Sequence, residues 1–315
     1  MAALHQSVSA GDGLKDYLRN GLKNLERDLG EGSERGPAAV HRARRRIKSL
    51  RALMRMIRVA VGDDAFHKGN DALGQAGRAL ASARRMGAMV ESAEKLKADD
   101  LAAADLAVVR DIARAASRIA TQGMSPELLD QAAGDARRHI AGLRGPANGW
   151  QLPQCDMAVF VEGMSRVYAR ARRLVDKGLS SADPAILHEA RKSVIHLRYQ
   201  LDMLEPIWPS LISAWVKELQ RLREVLGDFN DLCEMETLIN DPASPLSKVK
   251  NRSAALRLVR DRRDALLSRG RPLARRLFAE PPSSFATRMT AMWESWYGVG
   301  AAAGREATGR EAVGR

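Results

Sequence analysis

Two stretches constrain this chain more than anything else in it: Val40 to Ile57, and its echo 147 positions later (187 minus 40), Leu187 to Leu204. In the first, Val40, Ala43, Ile47, Leu50, Met54 and Ile57 recur at steps of three and four; in the second, Leu187, Ala190, Val194, Leu197, Leu201 and Leu204 fall at the same phase. That period predicts two long helices, each with one apolar seam. One position past each seam residue runs a second line. It is His41, Arg44, Lys48, Arg51, Arg55 and Arg58 in the first stretch. The second stretch keeps His188, Arg191 and Arg198 in register and has Ile195 and Asp202 where the first has Lys48 and Arg55.

Like charges at this spacing have a cost. The neighbouring pairs Arg44 with Lys48, Lys48 with Arg51, Arg51 with Arg55, and Arg55 with Arg58 each destabilise an isolated helix by about 0.2–0.5 kcal/mol. One reading is a solvated face whose counter-charge comes from carboxylates on neighbouring helices. A row that returns in phase points instead to a polyanion. The net charge of +13 over 315 residues points the same way, whether to nucleic acid, an acidic membrane surface or a phosphate polymer.

The rest of the chain predicts an all-α fold, since Ala, Leu, Arg and Met are abundant, aromatics are scarce, and no stretch alternates apolar with polar residues. Residues 1–11 read as a loose tail. Helices are expected from about Asp12 to Leu29, through the first stripe to near Gly62, over 64–97 and 99–121, and from Ser125 with Pro126 to about Leu143. The stretch 142–153, with its prolines and glycines, is the expected boundary. Beyond it come a helix over 154–177, the second stripe helix opened by Asp183 and Pro184, a long helix over 208–240, and pieces over 248–278 and 284–297. Residues 298–315 have little to bury and read as a disordered tail. The order suggests duplication of a helical bundle: halves 12–145 and 146–297 related by a pseudo-twofold axis, their stripe helices facing each other across a shared groove.

Cys155 and Cys233 fit no metal or redox spacing and suggest reduced thiols in a cytosolic protein. A basic start followed by an apolar run is missing from the first twenty residues, and no apolar run reaches membrane-spanning length, so a soluble intracellular chain is expected. His188-Glu189 is followed by Lys192 where a zinc-protease pattern needs its second His, and the arginines would repel a cation, so no metal is expected. Asp228, Asp231 and Glu224 could suggest magnesium-dependent phosphoryl transfer. The simpler reading is that they orient basic side chains such as Arg198. There is no phosphate-binding loop and no activated nucleophile, which favours a binding module over an enzyme. Met54, Met56, Met86, Met89 and Met203 read as core. Arg78, Arg84 and Arg85 could extend the first row.

The run Leu187-His188-Glu189-Ala190-Arg191-Lys192 through His196-Leu197-Arg198-Tyr199, then Leu219-Gln220-Arg221-Leu222 and Leu226-Gly227 to Asn230-Asp231, resembles the conserved histidine α-helical domain, the CHAD family. Val40-His41-Arg42-Ala43-Arg44 through Leu50-Arg51 is a looser version, with the later signature reduced to Leu80-Ala81. Tyr168-Ala-Arg170-Ala171-Arg172 resembles the family's Tyr and Arg helix, with Ala171 in place of Gly. The resemblance implies two helical bundles and a basic surface that binds inorganic polyphosphate. It also implies, in some relatives, association with polyphosphate or storage granules. The ligand contacts it implies are His41, Arg44, Lys48, Arg51 and Arg55 from the first half and Tyr168, Arg172, His188, Arg191, Arg198, Lys217 and Arg221 from the second, with no cofactor. A stripe of one cation about every 5 Å over roughly 25 Å suits a flexible polyanion gripped by guanidinium forks. Sequence-independent binding to a nucleic-acid backbone is the alternative. The tryptophans fall away from the stripe, which leaves few rings to stack bases.

Overall fold

The structure, a computed structural model, describes residues 4–5, 8–30, 36–81, 90–96, 102–121, 126–150, 152 and 157–312. Among them the elements are all helices, joined by turns and short loops, with no strand. The expectations for Met86, Met89, Arg84, Arg85, Ser125 and Cys155 lie outside the described residues.

The two stripe helices are α2 (Gly36–Met56) and the helix Pro184–Met203, and the other elements are arranged about them. In the first half α1 (Ala10–Asp28) and α4 (Asp63–Ala79) flank α2, with the single turn α3 (Arg58–Val61) between α2 and α4. Then come α5 (Ala103–Thr121), α6 (Pro126–Ile140), which packs on α4 and α2, and the short α7 (Arg144–Gly149) against α1. In the second half α8 (Ala158–Ser181) and α10 (Pro209–Asn240) flank the stripe helix, α9 (Pro184–Met203). α11 (Arg252–Leu277) lies on α10, and α12 (Pro282–Ala312) lies on α8.

Both seams are core. Ala43, Ile47, Leu50 and Met54 on α2 and Ile57 just past its end are buried, and so is every seam residue from Leu187 on α9 to Leu204 at its C-cap. Each buried leucine is worth about 2 kcal/mol. The buried residues form one contiguous cluster that runs from Leu4 to Trp293, through both halves. Crossing contacts reinforce it: the Lys250 amide donates to Asp111 of α5 at 2.8 Å, and Arg257 of α11 pairs with Asp105 at 2.5 Å.

α2 and α9 pack directly on one another and run antiparallel. The Gln200 side chain donates to the Ala52 carbonyl at 3.0 Å; Arg55 acts on His196, while nearer the start of α2, Arg46 and Ser49 share surroundings with Tyr199 and Asp202. Around that crossing α2 is buried on most of its girth. Ala52, Leu53, Met54, Met56 and Ile57 are enclosed, and only Arg51 and Arg55 keep partial exposure. α8 closes on the same point through Gly163, where a Cβ would stand 2.2 Å from the Met56 carbonyl oxygen, so only glycine permits the approach.

Some expected boundaries shift. α1 begins at Ala10, because Ser9 caps it by accepting from the Asp12 amide at 3.1 Å. The supposed tail before it contributes Leu4 to the core, at 1% exposure. Asp183 caps α9 as its sequence implied, accepting from the Ala185 and Ile186 amides. The last helix continues through Ala312, past the 297 expected for its end and into the expected tail.

Candidate functional site

The first charged row lies along α4. The Arg44 Nη1 donates to the Leu80 carbonyl at 2.6 Å. Further along, Arg51 Nε and Arg55 Nη1 both donate to one atom, Asn70 Oδ1, at 3.1 and 2.9 Å, and Arg55 Nη1 also reaches the Arg51 carbonyl at 2.8 Å. Arg58 stands 4.6 Å from the Phe66 ring centre and pairs with Asp63 at 2.7 Å. Among the described residues Arg51 and Arg55 have no ion pair within 4 Å; their shared acceptor is a neutral amide.

That arrangement leaves concentrated charge in a partly desolvated place. Burial, then repulsion from Arg51, Arg170 and Arg58, lowers the Arg55 guanidinium to about 10, with Asp71 opposing. Burial and Arg78 likewise lower Arg51, with Asp71 and Glu189 opposing. Arg78 stands beside Arg51 over Gly74.

Across from them stand groups from the second half. α8 supplies Arg170, and α9 supplies Lys192 and His196. The Glu189 carboxylate is divided between Lys192 at 2.7 Å and Arg170 at 3.2 Å; its bond from Lys192 is the largest influence holding it below the usual carboxylate range. His196 is held well below the ordinary imidazole range by burial first, then by Arg55, Arg51, Arg170 and Lys192. Four cations, Arg51, Arg55, Arg170 and Lys192, therefore face a neutral imidazole, and among the described residues Glu189 and Asp71 act against their charge. A phosphate oxygen placed here would restore what folding withheld.

The expected residues divide accordingly. Arg51 and Arg55 sit in this cluster, Lys48 and Arg44 lie one and two turns before it on α2, half-buried, and His41 is exposed near the helix start. The Arg191 guanidinium rests on α10 over Gly227, where a Cβ would stand 3.1 Å from Nη2, which accounts for the Leu226-Gly227 pair. Arg198 lies 4.2 Å from the Tyr199 ring centre, its Nε buried without a hydrogen-bond partner. His188 is exposed on the first turns of α9, its imidazole lowered by burial and by Lys192. Because α2 and α9 are antiparallel, His41 and His188 lie at opposite ends of the pair. On α9, the first row's Arg51 and Arg55 approach His196, with Lys192 one turn before it.

Tyr168 is a correction. It is fully buried, stacked on Phe285 at 4.4 Å between ring centres, and its hydroxyl donates to the Glu280 carbonyl at 3.0 Å. Burial and Glu280 push it up to about 12. Arg172 is exposed and donates to the Phe278 carbonyl at 3.0 Å, so both side chains tie α8 to the turn between α11 and α12. On α10, Lys217 is exposed and Arg221 pairs with Glu218 on its own helix at 2.6 Å. Asp228, expected beside Arg198, pairs with Lys95 at 2.9 Å, and Glu224 accepts from Gln220.

Asn70, Arg170, Lys192 and His196 were missed as a set. The signal was a second line on α9, His188, Lys192 and His196 at steps of four, just beside the stripe. A family model for the CHAD domain matches residues 13–240, from within α1 to the end of α10. With most of the sequence matched, and with the motif residues of α2, α9 and α10 packed together around one helix crossing, the chain belongs to the CHAD domain family.

Proposed function

We propose that this protein binds long inorganic polyphosphate, without altering it, along the basic surface of α2, α8 and α9. The observation that carries the reading is the Arg51–Arg55 pair: two partly desolvated guanidinium groups on one neutral acceptor, opposite Arg170, Lys192 and His196. The general association of the CHAD domain with polyphosphate supports it. A phosphate chain suits this surface because it offers oxygens to several forks at once and asks nothing of base-stacking rings. From Arg55 the row continues down α2 to His41, about 20 Å at the helical rise, so a chain of many phosphates gains contacts that a short one lacks. Binding requires no cofactor. In the cell the reading places the protein in the cytoplasm, on polyphosphate or storage granules. No helix among the described residues is long and apolar enough to cross a membrane.

The test is anisotropy titration with labelled polyphosphates of graded length, on the native chain and on the Arg51→Ala/Arg55→Ala variant, with duplex DNA as competitor at matched phosphate. Long chains should bind tightly at low salt, lose affinity steeply with added salt, and bind the variant at least about tenfold more weakly. Equal competition by DNA would replace the reading with general backbone binding. Release of phosphate during incubation would replace it with an enzyme.

A further inference from the structure

A cavity of about 530 Å³ opens between α1, the first half of α2 and the second half of α9. Its volume is that of a small-molecule site. Helical periodicity puts residues 42, 45, 46 and 49 on a different face of α2 from 44, 48, 51 and 55, so the cavity is not a stretch of the basic row. Its lining includes Arg42 and Arg45 from α2, Asp16 and Tyr17 from α1, and Tyr199 and Asp202 from α9.

The partners these groups lack are informative. Arg45 and Asp202 share the cavity, yet neither has an ion pair or hydrogen bond among the described residues. Arg42 reaches only Asp28, at 3.4 Å, and that carboxylate is held more closely by Arg46 at 2.8 Å. Tyr199 is 93% buried (7% exposed) and its hydroxyl has no hydrogen-bond partner among the described residues, although it lies near enough to act on Tyr17. The Tyr17 hydroxyl, by contrast, is satisfied by Ser49 at 2.7 Å. Arg45 on α2 and Asp202 on α9, unbridged among the described residues, suit a molecule that is anionic at one end and a hydrogen-bond donor at the other.

We propose that this cavity is a binding site for a nucleoside phosphate. The phosphate sits at Arg42 and Arg45, which stand one turn apart and offer paired N–H groups. The amino and hydroxyl donors of the nucleoside reach Asp202 and the Tyr199 hydroxyl, and its ring lies against the tyrosine side chains. Asp16 and Asp202 repel a bare phosphate chain, so inorganic polyphosphate does not fit here.

Calorimetric titration of the full chain with ATP, adenosine and inorganic triphosphate tests the site. ATP should bind at least about tenfold more tightly than either fragment, and Arg45→Ala, at an exposed position, should weaken ATP by about tenfold with the helical signal intact. Asp202→Asn should narrow the preference of the site for ATP over triphosphate. Triphosphate binding as tightly as ATP, an Arg45→Ala variant that binds ATP unchanged, or no saturation at millimolar ATP would each overturn the proposal.

Discussion

The side-chain amide of Gln200 donates to the main-chain carbonyl of Ala52 at 3.0 Å, with Gln200 wholly buried, and this bond joins α9 to α2 where the two halves cross. Its other end is different: Gln200 Oε1 is buried with no hydrogen-bond partner. Truncation and isosteric replacement should therefore diverge. Gln200→Ala removes the bond and opens a cavity at the crossing, and is expected to cost about 2–3 kcal/mol. Gln200→Met gives up one bond but also removes the orphaned acceptor, and should stay within about 1 kcal/mol of the native chain. Urea unfolding of the two variants decides between this account and one in which the amide is wholly favourable.

Two glycines separate stability from binding. At Gly163 an added Cβ meets the Met56 carbonyl oxygen at 2.2 Å, which is backbone and cannot step aside, so Gly163→Ala should lose about 3 kcal/mol or more, or fail to fold. At Gly227 the added Cβ meets only the mobile end of Arg191, at 3.1–3.3 Å, while the helix gains about 1 kcal/mol in propensity. Gly227→Ala should thus unfold no earlier than the native chain. If Arg191 touches the phosphate chain, the same variant should bind polyphosphate more weakly; unchanged affinity would take Arg191 out of the binding surface.

The helical periodicity of the seams was fully legible, because steps of three and four in apolar residues admit only one buried face, and every α9 seam residue is buried. What the sequence could not supply was the direction in which α9 meets α2. Once they are antiparallel, Lys192 and His196 come to Arg51 and Arg55, while Arg191 rests on α10 and Arg198 on the ring of Tyr199 in its own helix. Tyr168 was misread for a related reason: a tyrosine at a motif position looks the same in sequence whether its hydroxyl serves a ligand or the Glu280 carbonyl. Asn70 was invisible because a single neutral amide in α4 carries no pattern.

Arg55 should trade stability for binding. Its guanidinium is lowered to about 10, chiefly by burial and then by the repulsion of Arg51, Arg170 and Arg58, so the folded chain disfavours the charge it carries at neutral pH. Arg55→Met keeps the packed stem and removes the charge. The variant is expected to gain about 1 kcal/mol in thermal or urea unfolding and to bind long polyphosphate about tenfold more weakly. A variant that is both less stable and equally avid would mean that Arg55 is a structural residue alone.

Tyr168→Phe checks its assignment to the core. The substitution keeps the stacked ring and removes only the bond to the Glu280 carbonyl, so it should cost about 1 kcal/mol and leave polyphosphate affinity unchanged. A large fall in affinity without a fall in stability would return Tyr168 to the ligand surface.

His196 gives the site a pH dependence of definite sign. Its imidazole is surrounded by Arg51 and Arg55 from α2, Arg170 from α8 and Lys192 from its own helix, with Glu189 the nearby carboxylate on α9, and burial with these cations holds its folded value well below the ordinary one. Above the unfolded value, about 6.5, both folded and unfolded chains carry it neutral and nothing changes. As the pH falls through that value the unfolded chain takes up a proton that the folded chain refuses, so stability should decline by up to about 1.4 kcal/mol per pH unit from this group. A phosphate chain bound there should reverse the local field and raise the imidazole toward its ordinary value. Polyphosphate binding between pH 6.5 and 5.5 should therefore be accompanied by proton uptake and should tighten with acidification. Calorimetry of the complex in two buffers of different ionisation enthalpy measures that uptake directly. His196→Leu should abolish it while leaving affinity at pH 8 nearly unchanged; uptake that persists in the variant would assign the proton to His188 or His41 instead.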